Sequence, residues 1–125
     1  MEGNQFKNRS QKKVLLVEDE KMIQVVHLMY LQELGCKVDI VDNGTKAVSK
    51  AKQKYDLIFM DVGLPDISGI EATRQIRKNG VTCKIIVLTA FIRADVKDEC
   101  LTAGVNLVAA KPITPDKLSR IVRAC

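Results

Sequence analysis

Leu57-Ile58-Phe59-Met60-Asp61, near the middle of the chain, is an unbroken apolar run that ends in a carboxylate. Four other short runs of similar length recur along the sequence, at residues 14–17, 38–41, 85–88 and 107–110. Four of the five runs are continuously apolar, which is typical of strands that are covered on both faces of a parallel sheet. The run at 38–41 contains Asp39, and this alternation indicates an edge strand with one wetter side.

The segments between the apolar runs have helical periodicity. The last is the clearest, because Thr114 is a typical N-cap, Pro115 suits the first helical position, and apolar residues follow at helical spacing. An earlier helix, whose apolar stripe is Val96, Cys100 and Leu101, is predicted to end at Gly104. Strand and helix alternate five times, which predicts a doubly wound α/β fold with a five-stranded parallel sheet and five helices.

The length of 125 residues and the composition are those of one globular domain. Apolar residues make up 46% and charged residues 28%, so neither disorder nor a fibrous repeat is expected. No apolar run approaches the roughly 18 to 20 residues that span a bilayer, and the first five residues lack the apolar core of a signal peptide. The four cysteines form no Cys-x-x-Cys pair, so we expect reduced thiols and a cytoplasmic location.

The formal net charge of +5 is unevenly distributed, because residues 1–13 carry four basic side chains and one acidic side chain. We expect residues 1–11 to form a flexible basic tail and residues 12–125 to form the folded domain. A basic chain can bind nucleic acid, but here no aromatic residues interleave with the basic ones and no helix-turn-helix pattern is present. The sequence therefore predicts no direct nucleic-acid binding and no membrane insertion.

Chemically active side chains follow four of the predicted strands: Glu18 and Asp19 the first, Asp61 the third, Thr89 the fourth and Lys111 the fifth. In open parallel sheets, ligands bind beyond the carboxyl ends of the strands, so these side chains are expected at one edge. Clustered carboxylates repel one another unless a cation lies between them, and Mg²⁺ prefers such oxygen ligands and shares phosphates with proteins. A carboxylate nucleophile, a metal, a lysine and a hydroxyl together predict a phosphoryl-transfer site that forms an aspartyl phosphate.

An ordered set of motifs runs the length of the chain: Val14-Leu15-Leu16-Val17-Glu18-Asp19-Glu20, Asp42-Asn43-Gly44, Asp56-Leu57-Ile58-Phe59-Met60-Asp61, Leu64-Pro65 through Gly69, Leu88-Thr89-Ala90 and Ala110-Lys111-Pro112. With these motifs, residues 12–125 resemble the receiver domain of two-component response regulators. The resemblance implies a sheet in the flavodoxin-like order 2-1-3-4-5. It also implies a phosphoacceptor signalling domain that catalyses only its own phosphorylation and dephosphorylation, and so is not a classical enzyme.

By that resemblance Asp61 is the phosphoacceptor, which attacks a phosphohistidine of a histidine kinase or a histidine phosphotransfer protein. The Mg²⁺ ligands it implies are three carboxylates and one backbone carbonyl: Glu18, Asp19, Asp61 and Gly63. Thr89 and Lys111 would grip the phosphoryl oxygens, and the Lys111–Pro112 bond is expected to be cis. The family often has Tyr or Phe three residues before the lysine, whereas this chain has Val108. The resemblance therefore implies a muted or rerouted output switch.

The first predicted helix, residues 20–34, ends at Gly35 and is more apolar than one core face requires. Its predicted buried stripe is Met22, Val26, Tyr30 and Leu34, widened by Leu31. Because receivers commonly dock a partner's helical bundle on this helix, we expect docking at Ile23. His27 is expected to be a histidine on the helix face near the margin of the core, and not a phosphorylated residue.

Two other functions remain open at this point. The chain can be an interaction-only receiver that signals without phosphorylation. It can also be an aspartate-nucleophile phosphatase of the haloacid dehalogenase type, although that class has a second Asp two residues after the nucleophile, where this chain has Gly63. The sequence is compatible both with a stand-alone regulator and with the receiver of a hybrid histidine kinase.

Overall fold

Five parallel strands form one sheet in the order β2-β1-β3-β4-β5. The computed structural model describes residues 11–125, and the predicted basic tail, residues 1–11, lies outside the described residues apart from Gln11. The strands are Lys13–Val17 (β1), Lys37–Val41 (β2), Leu57–Asp61 (β3), Lys84–Thr89 (β4) and Leu107–Ala110 (β5). Each predicted run lies within one of these strands. The predicted edge position of β2 is confirmed, because β2 stands at the end of the strand order and pairs with β1.

Five helices cover the two faces of the sheet. They are Lys21–Glu33 (α1), Gly44–Lys50 (α2), Gly69–Lys78 (α3), Ala94–Ala103 (α4) and Pro115–Arg123 (α5). Buried residues of α2, α3 and α4 pack in one apolar core, and those of α1 and α5 pack in a second core. The side chains of each strand point alternately to these two cores, which explains why the strands are apolar along their whole length. The predicted doubly wound α/β fold in the order 2-1-3-4-5 is confirmed.

Local sequence signals set the ends of two helices as predicted. The Thr114 hydroxyl accepts a hydrogen bond from the backbone N–H of Lys117 at 3.2 Å, and Pro115 is the first residue of α5. Helix α4 ends at Gly104, whose φ of 105° lies in the left-handed region that glycine tolerates. The prediction for Leu101 is wrong, because its side chain is 49% exposed. The rest of the predicted stripe is confirmed, because Cys100 is fully buried and Val96 packs against the core. Each step along a helix turns the side chain by about 100°, so Leu101 is turned away from the face of Cys100.

The buried face of α1 also differs from its predicted stripe. Met22 was placed in the core by its spacing, but its side chain is 79% exposed. The residues that α1 does bury are Gln24, His27 and Leu31. Gln24 Nε2 donates a hydrogen bond to the carbonyl oxygen of Glu18 at 2.5 Å, and His27 Nε2 accepts one from the backbone N–H of Ile113 at 3.3 Å. The prediction is confirmed for Leu31, which is fully buried, and for Tyr30 and Leu34, which pack against the core. Buried polar groups are accepted once they are hydrogen-bonded, so apolar periodicity alone misplaces Met22 and does not reveal that Gln24 and His27 are buried.

Arg77 of α3 links three backbone segments at the end of the sheet where β4 begins. Its Nε donates a hydrogen bond to the carbonyl of Gly104 at 3.0 Å. One terminal nitrogen, Nη1, donates to the carbonyls of Val81 and Cys83 at 3.0 and 2.6 Å. The other, Nη2, donates to Asn106 Oδ1 at 2.9 Å. This guanidinium therefore joins the α3–β4 connection to the turn between α4 and β5.

All four cysteines are free thiols. Burial raises the pKa of each of them above its ordinary value, which keeps the thiols protonated at neutral pH. Within residues 11–125, no helix combines the length and the apolar character that a membrane crossing requires.

Candidate functional site

The strand order brings the ends of β1 and β3 together at the switch point of the sheet. The chain turns from β1 outward to β2 on one side and from β3 outward to β4 on the other, so the helices after these strands lie on opposite faces. Backbone hydrogen bonds extend the pairing past the strand ends, from Val62 N–H to the Leu88 carbonyl at 3.1 Å and from Lys111 N–H to the Thr89 carbonyl at 2.9 Å. The loops that follow the strands therefore start from fixed positions.

Three carboxylates meet at this edge. Glu18 follows β1 and is fully buried, Asp61 is the last residue of β3 and is 3% exposed, and Asp19 is exposed. One carboxylate oxygen from each residue lies within 4.8 Å of the other two. Ligands of a single Mg²⁺ span about 4 Å, so this spacing fits an ion of that size after small side-chain adjustments.

The buried carboxyl of Glu18 has an unusual acidity. Burial, together with the neighbouring charge of Asp61, raises its pKa from 4.5 to about 7. The backbone N–H of Glu20, which donates to Glu18 Oε2 at 3.1 Å, and the ammonium of Lys111 act in the opposite direction. A cation bound between the carboxylates would favour the ionised form of Glu18.

The ammonium group of Lys111 forms ion pairs with two of the three carboxylates, Asp61 and Glu18. Its Nζ lies 3.0 Å from Asp61 Oδ2 and 3.3 Å from Glu18 Oε1, and its side chain is 14% exposed. Burial by itself would lower the pKa of Lys111, but the carboxylates of Asp61 and Glu18 outweigh burial and raise it. The ammonium is therefore charged and held against the two buried acids.

The backbone around Asp61 fixes the position of this carboxylate. The N–H of Gly63 donates to Asp61 Oδ1 at 3.2 Å. Helix α3 approaches the end of β3 so closely that a Cβ at Gly69 would collide with the carbonyl oxygen of Asp61. At Gly63, by contrast, a Cβ would meet no atom within 4 Å, which leaves the approach to Asp61 open on that side.

A cleft of about 730 Å³ opens above the carboxylates. Its walls include Asp19, Lys21, Asp61, Gly63, Thr89, Ala90 and Lys111. The structure thus brings together all six predicted site residues, since Glu18 lies directly beneath the cleft and contacts Lys111. A cleft of about 660 Å³ at the opposite edge, between residues 51–56 and 79–83, holds no comparable group of metal-ligating side chains among the described residues.

Thr89 lies in the wall of the cleft, but its hydroxyl is engaged with the following loop. Thr89 Oγ1 donates to the carbonyl of Phe91 at 3.1 Å and accepts from the Phe91 N–H at 3.4 Å. Val108 lies away from the cleft and is buried in the core on the α4 side of the sheet. The Lys111–Pro112 bond is cis, as predicted.

Sequence reasoning missed two residues near the site, Lys21 and Gln24, and placed a third, His27, at the margin of the core although it is 1% exposed. Lys21, the first residue of α1, contributes to the cleft wall. Gln24 and His27 lie beneath the cleft and bond to the loops that carry Glu18 and Lys111. A polar residue inside a helix gives no periodic signal that separates a buried contact from a solvent contact, so the pattern does not show that Gln24 and His27 are buried or that Lys21 reaches the cleft.

Comparison with known proteins matches this arrangement to one family. The family model for the response regulator receiver domain matches residues 14–123. Two-component response regulator 24 of Arabidopsis thaliana is 38% identical over 86% of this chain and 79% of its own length. Transcription factor SKN7 of Chaetomium thermophilum is 39% identical over 89% of this chain, which spans 15% of that protein.

A solved structure provides a further match. The receiver domain of the sensor histidine kinase PA1611 from Pseudomonas aeruginosa PAO1 is 41% identical, with a TM-score of 0.84, and the match covers 91% of this chain and 96% of that one. That structure has a magnesium ion coordinated in its active site cleft. These matches show that the present chain belongs to the response regulator receiver domain family. It is a phosphoacceptor signalling module and not a classical enzyme.

Proposed function

We propose that Asp61 of this receiver domain accepts a phosphoryl group from a phosphohistidine of a histidine kinase or histidine phosphotransfer protein. The observation that carries the proposal is the position of Asp61 in the cleft, within reach of two further carboxylates and of the Lys111 ammonium. A carboxylate oxygen of Asp61 attacks phosphorus, the bond between phosphorus and the histidine nitrogen breaks, and its electron pair returns to the imidazole. The products are an aspartyl phosphate and a neutral histidine, because the proton on the other ring nitrogen of the phosphohistidine stays on the departing imidazole.

The proposed Mg²⁺ ligands are Glu18, Asp19, Asp61 and the backbone carbonyl of Gly63. When bound, the ion would neutralise the negative charge that the phosphoryl oxygens bring to three carboxylates. The residues present fit this role, because the carboxylate oxygens are hard ligands and the exposed Asp19 leaves one side of the ion accessible to water and phosphate.

Lys111 and Thr89 would contact the phosphoryl oxygens after transfer. Lys111 already points at Asp61, so a phosphoryl group attached to Asp61 lies within reach of its ammonium. The Thr89 hydroxyl would exchange its bond to Phe91 for a bond to a phosphoryl oxygen, which releases the loop that carries the exposed side chains of Phe91 and Ile92. This release is the proposed output of the domain, and it needs no aromatic ring at Val108.

The roles of these residues are separable by measuring Mg²⁺ affinity and phosphorylation in parallel. Lys111→Ala is expected to slow labelling by acetyl phosphate, while Mg²⁺ affinity measured by calorimetry is retained or increased, because a positive charge leaves the metal site. Glu18→Gln is the matched variant, since it removes a proposed metal ligand and is expected to weaken both. Equal loss of labelling and of Mg²⁺ affinity in Lys111→Ala would contradict the proposed role of the lysine.

Partner docking is proposed on a surface of α1 that we call the docking face, formed by Met22, Ile23, Val25 and Met29. Met22, Val25 and Met29 are 79%, 52% and 55% exposed and recur at spacings of three and four, so they lie on one side of the helix. Ile23 is half-buried and lies on the flank of the helix between this exposed side and the core. Because α1 starts two residues after Asp19, a partner that delivers a phosphohistidine to Asp61 meets this apolar surface next to the cleft. An amphipathic helix of the partner's bundle fits such a face.

The docking proposal is tested with two phosphoryl donors. Val25→Glu and Ile23→Ala are expected to slow phosphorylation by a phosphohistidine protein about tenfold, while labelling by acetyl phosphate stays normal. Leu101→Glu is the control, because Leu101 is also an exposed apolar helix residue but lies on α4. Equal slowing in Leu101→Glu, or loss of labelling with both donors, would contradict docking on α1.

The wider protein context is part of the proposal. We place the domain in the cytoplasm, where its free thiols would stay reduced and a phosphohistidine donor is available. The exposed docking face and the small residue at Val108 suit a relay between histidines, either as a separate regulator or within a hybrid histidine kinase.

A further inference from the structure

His27 is a buried imidazole in the core beneath the phosphorylation cleft. It is 1% exposed and lies on the inner face of α1, one turn before the fully buried Leu31. Its Nε2 accepts a hydrogen bond from the backbone N–H of Ile113 at 3.3 Å, a contact between residues 86 positions apart. The ring therefore connects α1 to the loop between β5 and α5.

The direction of this hydrogen bond fixes the tautomer of the ring. A backbone N–H can only donate, so Nε2 must be unprotonated, and the single proton of the neutral imidazole is on Nδ1. Among the described residues, Nδ1 has no hydrogen-bond partner although it is buried. A leucine would fill the same space without an unpaired N–H, so the specific contribution of the imidazole is the acceptor at Nε2.

The loop that His27 holds is the one that carries Lys111. At its start, the N–H of Lys111 donates to the carbonyl of Thr89 at 2.9 Å. Two residues later, the N–H of Ile113 donates to His27, and the Ile113 side chain is 3% exposed. The backbone on both sides of Lys111 is thus anchored, while its side chain reaches between Asp61 and Glu18.

We infer that His27 is a positioning residue for phosphoryl transfer: through the Nε2 contact with Ile113 it fixes the β5–α5 loop so that the Lys111 ammonium meets the phosphoryl group on Asp61. This inference rests on the proposed role of Lys111. The hydrogen bond that His27 makes is to the backbone of Ile113 and not to a proposed metal ligand, so its proposed effect on the transfer step passes through the loop.

Two substitutions of His27 distinguish the contribution of its hydrogen-bond acceptor from that of its side-chain volume. His27→Leu keeps a side chain of similar size and removes the acceptor, whereas His27→Gln retains an oxygen acceptor at about the position of Nε2. His27→Leu is expected to slow acetyl phosphate labelling about tenfold, because small displacements of a catalytic group cost large factors in rate, and His27→Gln is expected to restore most of the rate. The Mg²⁺ affinity of both variants is expected to equal that of wild type. Amide exchange at Ile113 is expected to be faster in His27→Leu and close to normal in His27→Gln.

Leu31→Val is the structural control, because the Leu31 side chain is buried on the same face of α1 but is apolar and makes no hydrogen bond to the β5–α5 loop. It is expected to lower the thermal midpoint and to leave the labelling rate unchanged at a temperature where all variants are folded. Lys111→Ala is measured alongside. If His27→Leu labels normally while Lys111→Ala is slow, the inference is overturned and the proposed function stands; if Lys111→Ala labels normally, both are overturned. Slow labelling in Leu31→Val, or no recovery in His27→Gln, also overturns the inference.

Discussion

Replacement of Glu18 by Gln is expected to change how the stability of the metal-free protein depends on pH. Burial raises the pKa of this carboxyl from 4.5 to about 7 in the folded protein. Between these two values the folded state holds a proton that the unfolded state has lost, so the free energy of unfolding falls as pH rises through this window. The effect amounts to about 3 kcal/mol in total, since one pKa unit corresponds to about 1.4 kcal/mol.

A second buried group, His27, also makes the free energy of unfolding depend on pH. The difference between wild type and Glu18→Gln is therefore more informative than the pH curve of wild type alone. Burial lowers the pKa of His27, with the charge of Lys111 acting in the same direction, so the unfolded state binds more protons at this position. Its contribution is therefore present above the ordinary histidine pKa and is lost as pH falls, which opposes the trend from Glu18. Glu18→Gln keeps His27 and removes only the titrating carboxyl.

The assay is urea unfolding of both proteins in EDTA at a series of pH values from 4.5 to 8. The stability of wild type relative to Glu18→Gln is expected to fall by about 3 kcal/mol between pH 4.5 and 7. Saturating Mg²⁺ at pH 7.5 is expected to stabilise wild type more than Glu18→Gln, because the ion binds the ionised carboxyl in the folded state. Parallel pH curves for the two proteins would refute the reasoning, since they would mean that Glu18 has the same pKa in the folded and the unfolded state.

Three further predictions concern substitutions of single residues whose contacts the structure defines. Arg77→Ala removes four hydrogen bonds to three backbone carbonyls and one side chain, and is expected to cost about 3 kcal/mol in urea unfolding, with little recovery in Arg77→Lys because one ammonium cannot reach all four acceptors. Gly69→Ala is expected to cost about 1–3 kcal/mol, because its Cβ would collide with the carbonyl oxygen of Asp61, whereas Gly63→Ala meets no atom within 4 Å and should unfold at the wild-type midpoint. The Thr45 hydroxyl, together with backbone N–H groups, holds the pKa of Asp66 well below its usual range. The thermal midpoint of wild type is therefore expected to exceed that of Asp66→Asn by a constant amount above about pH 4, and by less as the pH falls below about 4.

The strands and the site residues were predictable because they depend on simple physical rules. An uninterrupted apolar run such as 57–60 is stable only where both faces of a strand are covered, which requires a parallel sheet with helices on each side. Once the sheet is parallel, every strand ends at the same edge, so residues that follow different strands are expected near one another, and the structure shows Glu18 and Lys111 in contact there.

The orientation of α1 was not predictable by the same rules. Its outward face carries Met22 and Val25, which are as apolar as core residues, and its inward face carries Gln24 and His27, which are polar. The free energy of burying these two side chains depends on hydrogen bonds to backbone groups in distant loops. Such partners are defined only by the tertiary structure, so no pattern within the helix reveals them.

The most direct test of the central claim is the intact mass of the purified protein after incubation with acetyl phosphate, with Mg²⁺ and with EDTA, for wild type and for Asp61→Asn. The predicted result is a gain of one phosphoryl group by wild type that requires Mg²⁺ and is absent from Asp61→Asn. Labelling of Asp61→Asn at the same stoichiometry would contradict the assignment of Asp61 as the phosphoacceptor, and labelling of wild type in EDTA at the same rate would contradict the role of the acidic cluster in holding Mg²⁺.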